Sequence, residues 1–264
     1  MCTVVVSLAP GERVPLRLLG IRDELTDRPW RPPARHWPGS PLIGGLDEQA
    51  GGTWLAVHPG IPRVACLLNA RGAFADPERR RSRGDLSLRA AAAGPGFLGR
   101  LASDPEALLS YDPFHLICAT TDSVSALTWL GRDPANRSGR PRVRQLAPGT
   151  HLFTNAGHAY PAAPGDPEAE PKALHFADKF AAARPPADPA LPVAQAWGDW
   201  LTLAAGDGLA PADPAGIIVR KDLPDGRVYG TTSVTLVALA DGALRYDFQP
   251  RPGSPDGWVS VRAG

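Results

Sequence analysis

Lysine is almost missing from this chain of 264 residues: only Lys172, Lys179 and Lys221 stand against a far larger number of arginines. Together with 30 prolines, 28 glycines and abundant alanine, that imbalance is the composition a GC-rich bacterial genome imposes, and it calls for no functional explanation. Cysteine is scarce as well. Cys2, Cys66 and Cys118 form an odd, sparse set that cannot make the disulfide framework of a small secreted protein, so reduced thiols and a cytoplasmic setting are expected. Net charge is nearly absent. A formal +1 gives no field to hold a polyanion, which argues against nucleic acid as a partner. No apolar run approaches the ~18 to 20 residues that span a bilayer, and no basic segment precedes the short run Thr3 to Ala9, so neither a membrane span nor a signal peptide is expected. The six histidines show none of the ligand pairings that zinc uses. No metal or cofactor is expected.

What is present reads as one compact domain over residues 1–264, a length that can bury a substantial core. Cys2 to Ser7 and Val14 to Ile21 flank Pro10-Gly11 and predict an opening β-hairpin. Thr53 to His58 and Arg63 to Asn69, then Phe114 to Thr120 and Ser123 to Leu130, predict two further strand pairs. Thr232 to Ala240 and Ala243 to Phe248 flank Asp241-Gly242, a strong hairpin signal. Helices are predicted over Asp85 to Ala93, Asp104 to Ser110, Pro171 to Ala183 and Val193 to Ala205. Tyr160 to Pro171 and Arg184 to Pro192, rich in proline, alanine and acidic residues, read as surface connections or lids. Gly94 to Gly99 spells a dinucleotide fingerprint but follows an alanine-rich helical stretch instead of a strand, so it is set aside. Cys66 and Cys118 lie in apolar strands and read as core thiols. The sequon Asn136 to Ser138 has no secretory context.

The first chemical feature is Met1-Cys2. A small second residue permits methionine removal, which leaves a cysteine bearing both a free α-amine and a thiol. Nucleophile and base then share one residue. An α-amine titrates near ~7.7 to 8.0 and a thiol near ~8.5, so at neutral pH the amine can accept the thiol proton with little penalty.

A series of short words accompanies it. Leu18-Leu-Gly-Ile-Arg-Asp-Glu24 is followed by Arg28-Pro29, Gly44-Gly-Leu-Asp47, Gly51-Gly-Thr-Trp-Leu-Ala56 and Val64 to Asn69. Arg83-Gly-Asp-Leu86, Phe114-His-Leu-Ile117, Leu146-Ala-Pro-Gly-Thr150, Phe153-Thr-Asn-Ala156 and Tyr229-Gly-Thr231 complete it. In order and spacing this series resembles the NRDE-motif family, also called the transport and Golgi organisation protein 2 family. The resemblance covers nearly the whole chain, and the Arg-Asp-Glu followed by Gly-Gly-Thr-Trp-Leu is its sharpest part.

That family is similar to the N-terminal-nucleophile hydrolases, including the conjugated bile acid hydrolases and penicillin V acylases, whose mature chains start with cysteine. The resemblance implies an α+β fold, a four-layer αββα sandwich, with Cys2 as nucleophile. It also implies that Asn69 and Asn155 stand near the reacting carbonyl, Asn69 being the first candidate oxyanion donor. Arg22 would hold the thiolate and Asp23 the α-ammonium. Consecutive strand residues point to opposite faces, so both can face Cys2 only if the strand turns at Arg22; otherwise one alone takes part. Two positions depart from the family: Ile21 replaces the motif asparagine, and Thr232 stands where relatives often carry arginine. The expected activity is acyl transfer from a small-molecule amide or thioester, through acyl-Cys2, to an amine or to water. An acyl carrier protein is one candidate donor, for which the basic run Arg79 to Arg83 offers a contact. The alternative class is a non-catalytic haem or lipid trafficking protein, a role proposed for eukaryotic relatives.

Overall fold

The computed structural model describes residues 2–132, 139–160, 170–250, 252 and 257–262. Met1, the sequon Asn136 to Ser138 and residues 161–169 of the Tyr160 to Pro171 connection lie outside them. The chain is α+β and divides into two compact units: residues 1–28, 148–154 and 158–264 make the first, residues 29–147 and 155–157 the second.

The first unit opens with the expected hairpin. β1 (Thr3–Leu8) and β2 (Leu16–Leu25) pair antiparallel, Thr3 opposite Ile21 and Leu8 opposite Leu16. The β-branched run Thr3 to Val6 suits the pleat, and Gly11, at φ 90°, makes the turn. The chain then builds the second unit as an antiparallel meander in sequence order. Its strands are β3 (Trp30–Ala34), β4 (Ile43–Asp47), β5 (Leu55–His58), β6 (Arg63–Asn69), β7 (Phe114–Thr120), β8 (Val124–Trp129) and β9 (Arg142–Leu146). Helices α1 (Gly84–Ala93), α2 (Gly96–Ala102) and α3 (Pro105–Leu108) cover one face. Leu86, Ala90, Leu98, Leu101 and Leu108 pack there on Ala56, Ala65, Leu116, Cys118 and Trp129. The fingerprint-like Gly94 to Gly99 is thus a helix-to-helix junction, with Gly94 at φ 80°. In the basic run, Arg80 pairs with Asp112 at 3.2 Å and Arg83 Nη1 donates to the Pro113 carbonyl at 2.7 Å.

Several of the family words have a packing cause in this unit. A Cβ on Gly52 would lie 2.3 Å from the Gly84 carbonyl carbon, so the backbones at Gly52 and Gly84 can meet only as glycines. The Thr53 N–H donates to the Gly84 carbonyl at 3.0 Å, and the Ser87 hydroxyl donates to the Thr53 carbonyl at 2.6 Å. Gly45 leaves room for the Trp54 ring, which a Cβ would meet at 2.3 Å.

The chain returns to the first unit through β10 (Gly149–Thr154) and β11 (Gly157–Tyr160), then α4 (Pro171–Ala182), α5 (Val193–Trp197) and α6 (Asp199–Ala204). β12 (Arg220–Asp222), β13 (Val228–Ala240), β14 (Ala243–Gln249) and β15 (Val259–Ser260) complete it. Its antiparallel sheet runs β11-β10-β1-β2-β13-β14-β15, with β12 beside β13. One face, carrying Val5, Leu19, Ile21, Leu152, Val234 and Leu236, is covered by Phe176 and Phe180 of α4, Trp197 of α5 and Trp200 of α6. Val4, Val6, Leu16 and Leu18 on the other face are buried too. Burial on both faces is why these strands read as continuous apolar runs.

Two expectations change here. Val193 to Ala205 is two short helices broken at Gly198, whose φ of 48° a helix cannot hold. Arg184 to Pro192 is no surface lid: Ala187 is fully buried in the core cluster. Arg17 donates to the Pro185 carbonyl at 2.8 Å, and Arg245 to the carbonyls of Asp188 and Leu191 at 2.6 and 2.7 Å. Between them the two units hold the two sheets and two helical layers that an αββα fold comprises.

Candidate active site

Cys2 stands one residue before β1, so the pairing of Thr3 with Ile21 continues to a position beside Arg22. Its Sγ donates to the Asp23 carbonyl oxygen at 3.8 Å. β2 does not turn at Arg22; it runs on to Leu25. Ile21 faces the helix-packed core, so alternation puts Asp23 on that face and Arg22 on the opposite one. The turn that would bring both to one face is absent from β2, and the irregularity lies in its neighbour β13. A bulge between Thr231 and Ser233 sets Thr231 opposite Asp23 and Ser233 opposite Arg22, with Thr232 as the extra residue.

That bulge supplies the polar frame. Arg22 Nη1 donates to the Thr232 hydroxyl at 2.9 Å, and that hydroxyl reaches the Arg22 carbonyl at 3.2 Å. The Thr231 hydroxyl donates to Asp23 Oδ1 at 2.7 Å while accepting from the Val219 N–H at 2.9 Å. Tyr229 Oη donates to the Asp23 carbonyl at 2.9 Å. Arg22 and Asp23 are 4% and 2% exposed. Two neighbouring residues of opposite charge are thus buried back to back beside Cys2. Glu24 turns away: its carboxylate accepts from the Leu25 N–H at 2.9 Å and lies 3.9 Å from Arg28.

Burial dominates the electrostatics. It pushes the Cys2 thiol above its ordinary value, the Asp23 charge adds to that, and Arg22 opposes it. The thiol therefore rests protonated and needs a base to react. Burial also raises the Asp23 carboxyl, against the pull of Lys172 and the Thr231 hydrogen bond. Lys172, on α4, is pushed down by burial and held up by Asp23, Cys2 and Glu170. The Tyr229 phenol is raised, first by burial and then by Cys2 and Asp23.

Asn69 and Asn155 come together in the second unit. Asn155 Nδ2 donates to the Asn69 carbonyl at 2.5 Å, and the Asn155 carbonyl accepts from the Arg71 N–H at 3.3 Å. The Asn69 side chain, ending β6, is exposed. His115, 1% exposed, lies beneath this corner. Its Nδ1 is 2.9 Å from the Thr128 hydroxyl, and its ring carbon Cε1 is 3.5 Å from where a Cβ on Gly157 would stand. Burial lowers its pKa to about 4, opposed by the backbone of Asn155, so the ring is neutral. Cys66 and Cys118 are buried, and burial pushes the Cys118 thiol up to about 12. Neither has the surroundings of a nucleophile.

Three residues around Cys2 carried no role from sequence: Tyr229, Thr231 and Lys172. The first two belong to the Tyr229-Gly-Thr231 word, a signal that could have found them. Lys172 left only a lysine on an apolar helical stripe. Among the described residues no group of three or more His, Cys, Asp or Glu could hold a metal ion, and no helix is long and apolar enough to cross a membrane.

A family model described as Transport and Golgi organisation 2 matches residues 1–184. That stretch includes Cys2, Arg22, Asp23, Asn69, Asn155 and Lys172, and stops short of the β13 bulge. No curated protein matches the sequence. Among solved structures, an N-acylethanolamine-hydrolyzing acid amidase ortholog from Caenorhabditis elegans is similar, at 13% identity over 97% of this chain and 95% of that one, with a TM-score of 0.40.

Proposed function

The chain belongs to the Transport and Golgi organisation 2 family, and we propose that it is an N-terminal-cysteine acyl-transfer enzyme whose mature form begins at Cys2. The observation that carries this is the Cys2 thiol one residue before β1, 3.8 Å from the carbonyl of a buried aspartate. A thiol whose pKa is raised needs a base close by, and the α-amine of the same residue is the closest there can be. The amine takes the thiol proton as Sγ attacks the acyl carbonyl. Because Cys2 offers two separate groups, each face of β2 can serve one of them: Asp23 stabilises the ammonium that results, and Arg22 the developing thiolate. The tetrahedral oxyanion is held by preorganised N–H donors.

As the carbonyl re-forms, the C–N or C–S bond to the leaving group breaks, and the ammonium returns its proton to that group. An acceptor then attacks acyl-Cys2, gives its proton to the amine and releases the thiol. With water the product is an acid; with an amine it is an amide. Thr232, in place of the family's arginine, supports a specialised acceptor, an amine in preference to water. Turnover of amide and acyl-thioester substrates by wild type and Cys2→Ala tests the reading. Loss of turnover in a folded Cys2→Ala protein is expected. Undiminished turnover refutes it.

A further inference from the structure

α4 presents Lys172, Ala173, Phe176, Ala177 and Phe180 to the core, spaced as one face of a helix. Four are apolar; the fifth is one of three lysines in the chain. Lys172 is 2% exposed, and among the described residues its Nζ has no hydrogen-bond partner. It also sits in the first turn of α4, directly after Pro171, where the helix dipole disfavours a cation. A chain that avoids lysine has placed one where packing and the dipole both oppose it. What opposes the cost is negative charge: Asp23 on β2, the Cys2 thiolate when it forms, and Glu170 just before the helix.

The elements packed most closely on α4 are β1, β10 and α6. On β10, His151 alternates with the core residue Leu152 and so points to the other face of the sheet. On α6, Asp199 is exposed, as are Asp178 and Lys179 of α4, and His175 is partly so. On the Cys2 side stand Arg22 and the Tyr229 phenol.

We propose that Lys172 is a positioning residue: a buried ammonium that shares the Asp23 carboxylate with the α-amine of Cys2 and thereby keeps that amine a usable base at neutral pH. This rests on the reading of Cys2 as an N-terminal nucleophile. If Asp23 had the α-ammonium as its one countercharge, the pair would hold the proton on the amine and the thiol would have no base. With Lys172 already neutralising the carboxylate, the ammonium gains less from Asp23 and releases its proton more readily. The same cation favours the thiolate.

The test follows two reactions of the N-terminal peptide across pH by mass spectrometry: alkylation of the Cys2 thiol by iodoacetamide and carbamylation of its α-amine by cyanate. Lys172→Met, near in length but uncharged, is expected to move both midpoints up by about one pH unit, the effect of one charge at close range. Lys172→Arg keeps the charge and is expected to stay near wild type. Far-UV circular dichroism checks folding, and Lys172→Gln carries the same expectation as Lys172→Met should the latter not fold. Midpoints in Lys172→Met or Lys172→Gln equal to those of wild type overturn the proposal while leaving the nucleophile intact. A Cys2 that reacts no faster than the buried Cys66 and Cys118 in wild type overturns the parent reading, and this one with it.

Discussion

Acidification should weaken this protein through one buried imidazole. His115 titrates near 4 in the folded chain, against ~6.5 when unfolded. Its folded pKa is depressed, so between those values the unfolded chain binds the proton that the folded chain refuses. Stability contributed by the neutral ring is therefore complete above pH ~6.5 and lost as pH falls toward 4. The arithmetic gives a loss of about 2 kcal/mol between pH 7 and pH 5, rising to about 3 kcal/mol at pH 4. Urea denaturation at pH 7, 6, 5 and 4 measures it, with His115→Phe as the control that separates this ring from the carboxylates. The variant leaves the Thr128 hydroxyl without the 2.9 Å contact it makes to Nδ1, which costs about 1 kcal/mol at pH 7. Its stability should then fall less steeply and cross the wild-type curve between pH 6 and 5. Parallel curves for the two proteins would refute the assignment of the acid lability to His115.

Other substitutions separate chemistry from packing. Asp23→Asn should lower turnover about 100-fold, the worth of one charge-assisted contact. Burial has raised the Asp23 carboxyl, so its ionisation opposes folding as pH rises, and the same variant should unfold at no lower temperature than wild type at pH 8. Cys118→Ala should cost about 1 to 2 kcal/mol as a small cavity beneath α1, with turnover preserved; both are read from denaturant midpoints and initial rates. Gly52→Ala should destabilise by about 1 to 3 kcal/mol or more by overpacking against Gly84, measured as a lowered melting temperature.

The hairpins β1–β2 and β13–β14 were legible because β-branched and apolar runs flank turn residues, a signal contained within about 20 residues of chain. β4 was not, since Gly44 and Gly45 weaken any strand signal and their reason lies in the Leu55 carbonyl and the Trp54 ring, further along the chain. β9, four of whose five residues are exposed, is an edge strand with charges that mask the apolar pattern. α2 hid inside a glycine-rich word. Within the candidate site, Cys2, Arg22 and Asp23 were singled out by order and spacing and lie beside one another, but how Arg22 and Asp23 share the neighbourhood was not legible. The hydroxyls that bury both side chains come from a bulge about 210 residues away at Thr232, and strand alternation alone cannot anticipate a defect in a partner strand. Lys172 was invisible for a related reason: a lone lysine acquires meaning only when α4 lays it over the buried face of β1 and β2.

The most direct measurement of the central claim is intact mass and N-terminal peptide mapping of the purified protein, before and after brief exposure to a medium-chain acyl thioester. The expected result is a chain that begins at Cys2 and gains one acyl group on that residue, an adduct absent from Cys2→Ala and released by an added amine. Fully retained Met1 in turnover-competent protein, or acylation of Cys66 or Cys118 with Cys2 unmodified, would contradict it.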